Sequence, residues 1–430
     1  MDINEIINKK NCKKVLTKQE IQFFVDGYVS GNISDEIATK FLKAVYDNGL
    51  NLTETTNLTM SMAKSGEILD LSSVGECVDK HSTGGVSDTT TLVIVPVLAS
   101  LGVKVAKMSG RSLGWTGGTA DKVEVFDGYN NNLTDEEFKK VIKTCGGSLI
   151  SQSEKIAIAD KKIYALRDKT GLVDNISLIA SSIMSKKIAC GAKILLLDVK
   201  YGEGAFMQTS KDAKKLATVM CKIGKRANIK TCAIISNMNE PLSNYIGNNL
   251  EVYSALKVLS GEENNLTKLC RIIVATILKK ANITQNIVKG EHLADEVLKN
   301  GKALEKLKQI VTLQGGSVEK IENSNLLLNS KNKIEVVSNA QGFVSQIKCK
   351  ELGNLVHEIC KQENTKQDKN MVGLILNVKK NDYVKNGDLL VTINYANCKN
   401  INEYANKIKD CFVISNKKGK EYKLVKEIIL

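Results

Sequence analysis

Two runs of residues in this chain of 430 could hold an anion. The first is Asp79-Lys80-His81-Ser82-Thr83-Gly84-Gly85-Val86-Ser87-Asp88-Thr89-Thr90-Thr91. Glycines at the end of a strand let backbone N–H groups turn towards a negative ligand, and a following helix presents its positive N-terminus. Lys80 supplies full charge, and Ser82 and Thr91 supply hydroxyl donors. No Gly-Lys-Ser or Gly-Lys-Thr follows the glycines, so this is not a P-loop, and an ordinary tight turn is the competing reading. The second run, from Lys107-Met108-Ser109-Gly110-Arg111 to Thr119-Ala120-Asp121-Lys122-Val123-Glu124, again combines small residues with hydroxyls, and a helix start is expected at Gly118. Two such loops on neighbouring strands could close on one phosphate from two sides.

Strands have to carry both loops. VGECVDKHSTGG, the apolar TTTLVIVPVLASLG and then VKVAKMSG read as strand, glycine loop, helix and strand, the βαβ grammar of a parallel sheet. The same texture returns in GGSLISQ, AKILLLDVKYGEGAF and KTCAIISNM. Parallel sheets bind ligands at the carboxyl ends of their strands, where both loops lie. Residues 1–66 read as three helices, LTKQEIQFFVDGYVSG, ISDEIATKFLKAVYDNG and LTETTNLTMSMAKSG, each starting at a Thr or Ser, with apolar residues three and four apart and a Gly stop. The stretch 159–190 has helical spacing and no strand runs, as an insertion returning to that unit would. Beyond about 335 come short β runs, IEVVSNAQGFVSQI, MVGLILNV, YVKNGDLLVTI and KLVKEIIL, with KQENTKQDKN read as an exposed loop. The expected fold class is therefore α/β. It has a small all-helical domain (1–66 and 159–190), a large α/β domain with a mainly parallel central sheet (70–158 and 191–334) and a C-terminal α+β subdomain (335–430).

Composition narrows the partners. The 61 Lys+Arg against 47 Asp+Glu leave a net charge of +14, which invites a nucleic acid. Yet the lysines run evenly from Lys9 to Lys426, and the aromatic 5% does not interleave with basic clusters. No nucleic acid is expected; the surplus assists the approach of a small anion. The 11 Cys include no C-x-x-C pair and there are 3 His, His81, His292 and His357, so neither a disulfide framework nor a histidine-rich metal centre is expected. No apolar run reaches the roughly 18 residues of a membrane span, and MDINEIINKKNCKK reads as no secretion or transit signal. A cytoplasmic protein without membrane partners is the expectation.

Longer motifs sharpen this. SGRSLGWTGGTADKVE resembles the signature of the thymidine and pyrimidine-nucleoside phosphorylase family, and DKHSTGGVSDTTTL resembles its phosphate loop. Ala165-Leu166-Arg167-Asp168 with Ser181-Ser182-Ile183-Met184-Ser185-Lys186-Lys187 is similar to its base-binding segment, and the likeness continues through LLLDVKYGEGAFM, MNEPLSNYIGNNLEV and NGDLLVTI. The resemblance implies reversible phosphorolysis, in which inorganic phosphate as co-substrate attacks C1′ of a pyrimidine nucleoside, with no required cofactor. It implies phosphate contacts from Lys80, His81, Ser82, Thr91, Lys107, Met108, Ser109 and Thr119. Arg167, Ser182, Lys186, Leu113 and Trp115 would meet the base. His81, Arg167 and Lys186 would be catalytic, with a protonated His81 helping to stabilise the departing pyrimidine. It also implies cleft closure between the helical and α/β domains and a homodimer formed through the helical domain.

Departures from the family pattern matter as much. Trp115, the only Trp, stands where the family has His; Ser87 and Ser112 replace glycines; Tyr201 and Glu203 replace smaller residues near the cleft. Some members bind potassium, whose ligands would align with Ser87, Thr89, Leu242, Tyr245 and Ser254. Ser254 stands in place of a carboxylate, which weakens such a site. The Gly-Ala-Gly-Arg stretch expected before the polar connector is absent. Two other functions compete. An anthranilate-type phosphoribosyltransferase shares the architecture, but Ser82-Thr83-Gly84-Gly85-Val86 differs from its Gly-Thr-Gly-Gly-Asp loop. A non-catalytic nucleoside or phosphate-binding homologue would account for Trp115.

Overall fold

A computed structural model describes residues 1–112 and 117–430. At its centre lie β1 (Val78–Ser82), β2 (Val105–Ser109), β3 (Gly147–Ser151), β4 (Ile194–Tyr201) and β5 (Lys230–Asn237), all parallel, in the spatial order β5-β4-β1-β2-β3. The chain builds outwards from β1 to β3 and then returns to β1's other side. The order thus reverses beside β1, and in open α/β sheets a ligand crevice opens at such a reversal. The helix Thr90–Ser100 that links β1 to β2 is apolar all round, and Thr90 to Ala99 are buried, as a helix covering a sheet face requires.

The helical unit contains four N-terminal helices, one more than its sequence periodicity suggests: Ile3–Asn11, Lys18–Ser30, Asp35–Asn48 and Leu52–Lys64. Thr17 and Ser34 cap the second and third as expected, whereas Asn51, one residue before the Leu-Thr start, caps the fourth. The segment Ile158–Thr170 and Ile176–Ala189 packs back onto this unit. Its Ala159, Ile163, Leu166, Leu172 and Leu178 share a core with Phe24, Phe41 and Leu58. Ala180, Met184 and Ile188, on the second of these helices, pack against Leu195, Leu197 and Ala213 of the α/β unit.

Two features differ from expectation beyond residue 335. The run KLVKEIIL does not join the C-terminal sheets: its strand Val425–Ile429 pairs antiparallel with β5 and forms the sixth strand of the central sheet. The polar connector is not an open loop, because Thr365 caps a short helix, Lys366–Met371, and the buried Glu363 accepts from the backbone N–H groups of Ala396 and Asn397. The rest of the unit forms a three-stranded antiparallel sheet and three strands of a four-stranded antiparallel one, whose fourth strand, Tyr245–Ile246, comes from the α/β unit. Among the described residues no helix is long and apolar enough to cross a membrane.

Candidate active site

A cleft of about 740 Å³ lies between the carboxyl ends of β1 and β2 and the inserted helices of the helical unit. His81, Ser82, Thr91, Lys107, Met108, Ser109 and Thr119 line one side; Arg167, Ser182 and Lys186 line the other. The loop after β1 needs its glycines: Gly84 has a φ of +91°, in the left-handed region. At Gly118 a Cβ would come within 2.3 Å of the Arg111 carbonyl carbon, so only glycine lets the second loop fold onto itself. Ser87, which replaces a family glycine, keeps a positive φ of +61° despite its side chain.

Strand geometry sorts the charged residues of β1. Successive side chains point to opposite faces, so Lys80 and His81 leave β1 in opposite directions. His81 lines the cleft, whereas Lys80 does not. The Lys80 ammonium instead donates to Thr90 Oγ1 (2.6 Å) and lies 3.6 Å from Asp198 and 4.0 Å from Asp88. Lys200 completes this buried lattice at 2.9 Å from Asp198, and Ser236 donates to the same carboxylate. Burial opposes the charge on Asp88, but Lys200 and Lys80 overcome it and hold its carboxyl well below the usual range. Asp88 also accepts from Ser82 Oγ (2.6 Å), which fixes that hydroxyl at the mouth of the site. Lys80, expected on phosphate, is thus held by Thr90, Asp198 and Asp88 beside the Ser82 hydroxyl.

The opposite face of β1 carries Asp79. Its carboxylate pairs with Lys187 at 2.8 Å and lies 3.5 Å from Lys107. His81 sits among these ammoniums. Burial first, then Lys187, Lys107, Lys186 and Lys80, push its pKa well below the ordinary imidazole value, and its Nε2 is buried without a partner. This environment works against the expected protonated His81: burial first, and then the neighbouring lysines, disfavour a charge on the ring.

Across the cleft, Arg167 is 1% exposed and donates to three backbone carbonyls, Leu172 (Nε, 3.0 Å), Val173 (Nη2, 2.7 Å) and Leu178 (Nη1, 3.2 Å). Two of its five N–H donors remain. No carboxylate is paired with it among the described residues. Lys186 pairs with Asp160 and donates to Ser182 Oγ (3.0 Å). The other Asp160 oxygen is buried without a partner. Sequence reasoning missed Asp79, Asp160 and Lys187 as parts of the site; Lys187 stands in the quoted Ser-Lys-Lys run, but nothing local marks it as facing Asp79.

Leu113 and Trp115 lie outside the described residues. Glu203, expected near the cleft, reaches the C-terminal unit, where it accepts from the Lys350 N–H at 2.9 Å; burial raises its pKa. The five positions aligned with a potassium site offer neutral oxygens alone. Ser87 Oγ is bonded to Ser243 Oγ at 2.7 Å, and the Thr89 and Ser254 hydroxyls are buried without partners. The neighbouring carboxylates are already matched: Glu251 pairs with Lys122 at 2.6 Å, and Lys122 also donates to the Asp88 carbonyl. A potassium ion here would have to be held by hydroxyl and carbonyl oxygens without a carboxylate at position 254, a weaker set than the family pattern supplies.

Comparison with known proteins agrees with this geometry. The family model "Glycosyl transferase family, a/b domain" matches residues 74–304, "Glycosyl transferase family, helical bundle domain" matches 4–66, and "Pyrimidine nucleoside phosphorylase C-terminal domain" matches 343–415. The pyrimidine-nucleoside phosphorylase of Staphylococcus haemolyticus is 43% identical over 96% of each chain. That of Bacillus subtilis is 44% identical over 95% of each, and that of Geobacillus stearothermophilus 42% identical over 96% of each. Among solved structures, anthranilate phosphoribosyltransferase from Thermus thermophilus aligns with a TM-score of 0.60 at 18% identity, over 73% of this chain and 99% of that one, a likeness of fold alone.

Proposed function

The chain belongs to the pyrimidine-nucleoside phosphorylase family, and on that premise we propose that it carries out the reversible phosphorolysis of pyrimidine (deoxy)nucleosides, giving free base and (deoxy)ribose 1-phosphate. The observation that carries this is one cleft with two unlike walls: hydroxyls and ammoniums at strand ends on one side, Arg167, Ser182 and Lys186 on the other. A phosphate oxygen forms the bond to C1′ as the bond from C1′ to N1 breaks. The electron pair moves onto the pyrimidine, and the negative charge spreads over its carbonyl oxygens.

Each wall then has a separate task. Thr91, Ser109 and Thr119 donate to phosphate beside the Lys107 ammonium, and Ser82 joins them when its proton turns from Asp88 to the anion, while the Lys80 lattice holds the loop rigid from behind. The two free N–H groups of Arg167 and the Lys186 ammonium meet the base as it becomes anionic, so they stabilise charge that grows towards the transition state. Ser182 accepts from Lys186 and keeps its own proton to donate to a base carbonyl. His81 works as a neutral imidazole with its Nε2 open to phosphate or base. In this reading activity needs no added potassium, because Ser254 stands in place of a carboxylate. The working form in this reading is a cytoplasmic homodimer, which light scattering of the purified protein checks.

The test is a panel of uridine, deoxyuridine, thymidine and cytidine with millimolar phosphate, for the native sequence and for Trp115→His. Release of uracil or thymine that requires phosphate is expected. No release from any of them refutes the reading, and a changed preference confined to the variant places Trp115 at the base.

A further inference from the structure

One carboxylate in the cleft wall answers for two lysines. Lys107 on β2 and Lys187 on the helix Ile176–Ala189 converge on the same acceptors: the Met108 carbonyl, at 2.8 and 2.9 Å, and Asp79, at 3.5 and 2.8 Å. All three side chains are buried. Asp79 also accepts from the Lys80 backbone N–H. The remaining groups facing this point bring no further anion. From β1 come His81, neutral, and Lys80, committed to the lattice on the other face; from the helix come Lys186, which is paired with Asp160, and the thiol of Cys190, whose pKa burial raises to about 11.

Two full ammoniums on one buried carboxylate leave one charge uncompensated, an arrangement costly enough that such a group neutralises instead. We propose that the Lys107 and Lys187 pair carries a single positive charge in the empty cleft and binds one proton when phosphate enters, so that anion binding is coupled to proton uptake at Lys107. The geometry also says which lysine is which. Lys187 has the shorter contact with Asp79 and stays charged, its pKa raised despite burial; burial, only partly offset by Asp79 and deepened by Lys187, brings Lys107 down to about 7. A neutral Lys107 has a lone pair and can accept a hydrogen bond from the Lys187 ammonium. When a dianion arrives, its charge removes the reason for that neutrality. The Lys107 amine then takes a proton from the solvent and becomes an ammonium, and no bond to the protein forms or breaks.

The inference rests on the phosphate-site reading above, and its test is separable from turnover. Sulfate is the probe, a tetrahedral dianion that does not itself titrate near neutrality. Its binding heat to the full-length protein is measured at pH 8 in buffers of different ionisation enthalpy, and the slope counts the protons exchanged. A slope near one proton taken up is expected for the native sequence and for His81→Gln, and a slope near zero for Lys107→Arg, which is permanently charged. Sulfate affinity should also fall by nearly tenfold per pH unit from 8 to 9 in the native protein and stay flat in Lys107→Arg. A native slope near zero overturns the inference, as does uptake that survives Lys107→Arg or disappears in His81→Gln. If proton uptake is found while no nucleoside is cleaved, the reading of the function fails and this one stands; cleavage without uptake has the opposite meaning.

Discussion

On the sheet side of the cleft each ammonium lies within reach of a carboxylate, and on the helical side Lys186 is likewise paired with Asp160, but the guanidinium of Arg167 is held by carbonyls alone. In the proposed reading the difference matches the two ligands. Phosphate brings permanent charge, so its wall can be a rigid, nearly neutralised lattice that offers hydroxyls and backbone groups. The base is neutral until its bond breaks, so its wall needs positive charge that is fixed in place and not yet answered. Carbonyls supply the fixing without the answering.

The strongest way to break this comparison is to remove a carboxylate from the lattice. Asp198→Ala leaves Lys80 and Lys200 facing each other with only the more distant Asp88 between them and is expected to cost about 3–5 kcal/mol of stability in chemical denaturation. A loss below about 1 kcal/mol would mean that the lattice is not what holds the loop. On the base wall the corresponding change should act on rate. Lys186→Gln, which can still hydrogen-bond to Asp160 and Ser182, is expected to lower kcat on the order of 10²–10³-fold with little change in Tm. Arg167→Met sharpens the contrast because it removes charge and anchor together; three carbonyls lose their donor, and a stability loss of about 1–3 kcal/mol should accompany the fall in kcat.

The smallest effect is in the pH dependence. His81 binds its proton less readily in the folded state than in the unfolded chain, where imidazole titrates near about 6.5. Below that pH the unfolded state gains protons that the folded state refuses, so stability falls with falling pH, by at most about 1.4 kcal/mol per pH unit from this group. His81→Gln should lose less stability between pH 7 and pH 5.5 than the native protein. Parallel curves would show that the lysines do not keep His81 neutral.

What was legible in the sequence was local. The two glycine loops, the strands before them and the helix between them are each written within a dozen residues, and the inserted helices show in the periodicity of Ile163, Leu166 and Leu178. Partners distant along the chain were not legible. The contact of Lys187 with Asp79 joins residues 108 apart, and no feature of either neighbourhood announces it. Lys80 shows the limit of a local reading: full charge beside a glycine loop suits phosphate well, while its partners Thr90, Asp88 and Asp198 come together only in the assembled sheet. The connector KQENTKQDKN looked like loop because its composition is polar, yet Glu363 and Asp368 are buried as acceptors and ion-pair partners. KLVKEIIL was a strand on any reading; that it pairs with β5 follows only from the assembled sheet.

That last pairing has a consequence for synthesis. β5 is made long before residues 425–429 appear, and its outer edge has no other strand to cover it. At about 5–20 residues per second, the ribosome leaves that edge bare for roughly 10–40 s. A nascent chain in this interval presents the backbone of Cys232–Ile235, a run of buried apolar residues, to any passing strand. The central sheet, first to begin, is thus among the last parts of the protein to be closed, and its safety during translation depends on a segment not yet made.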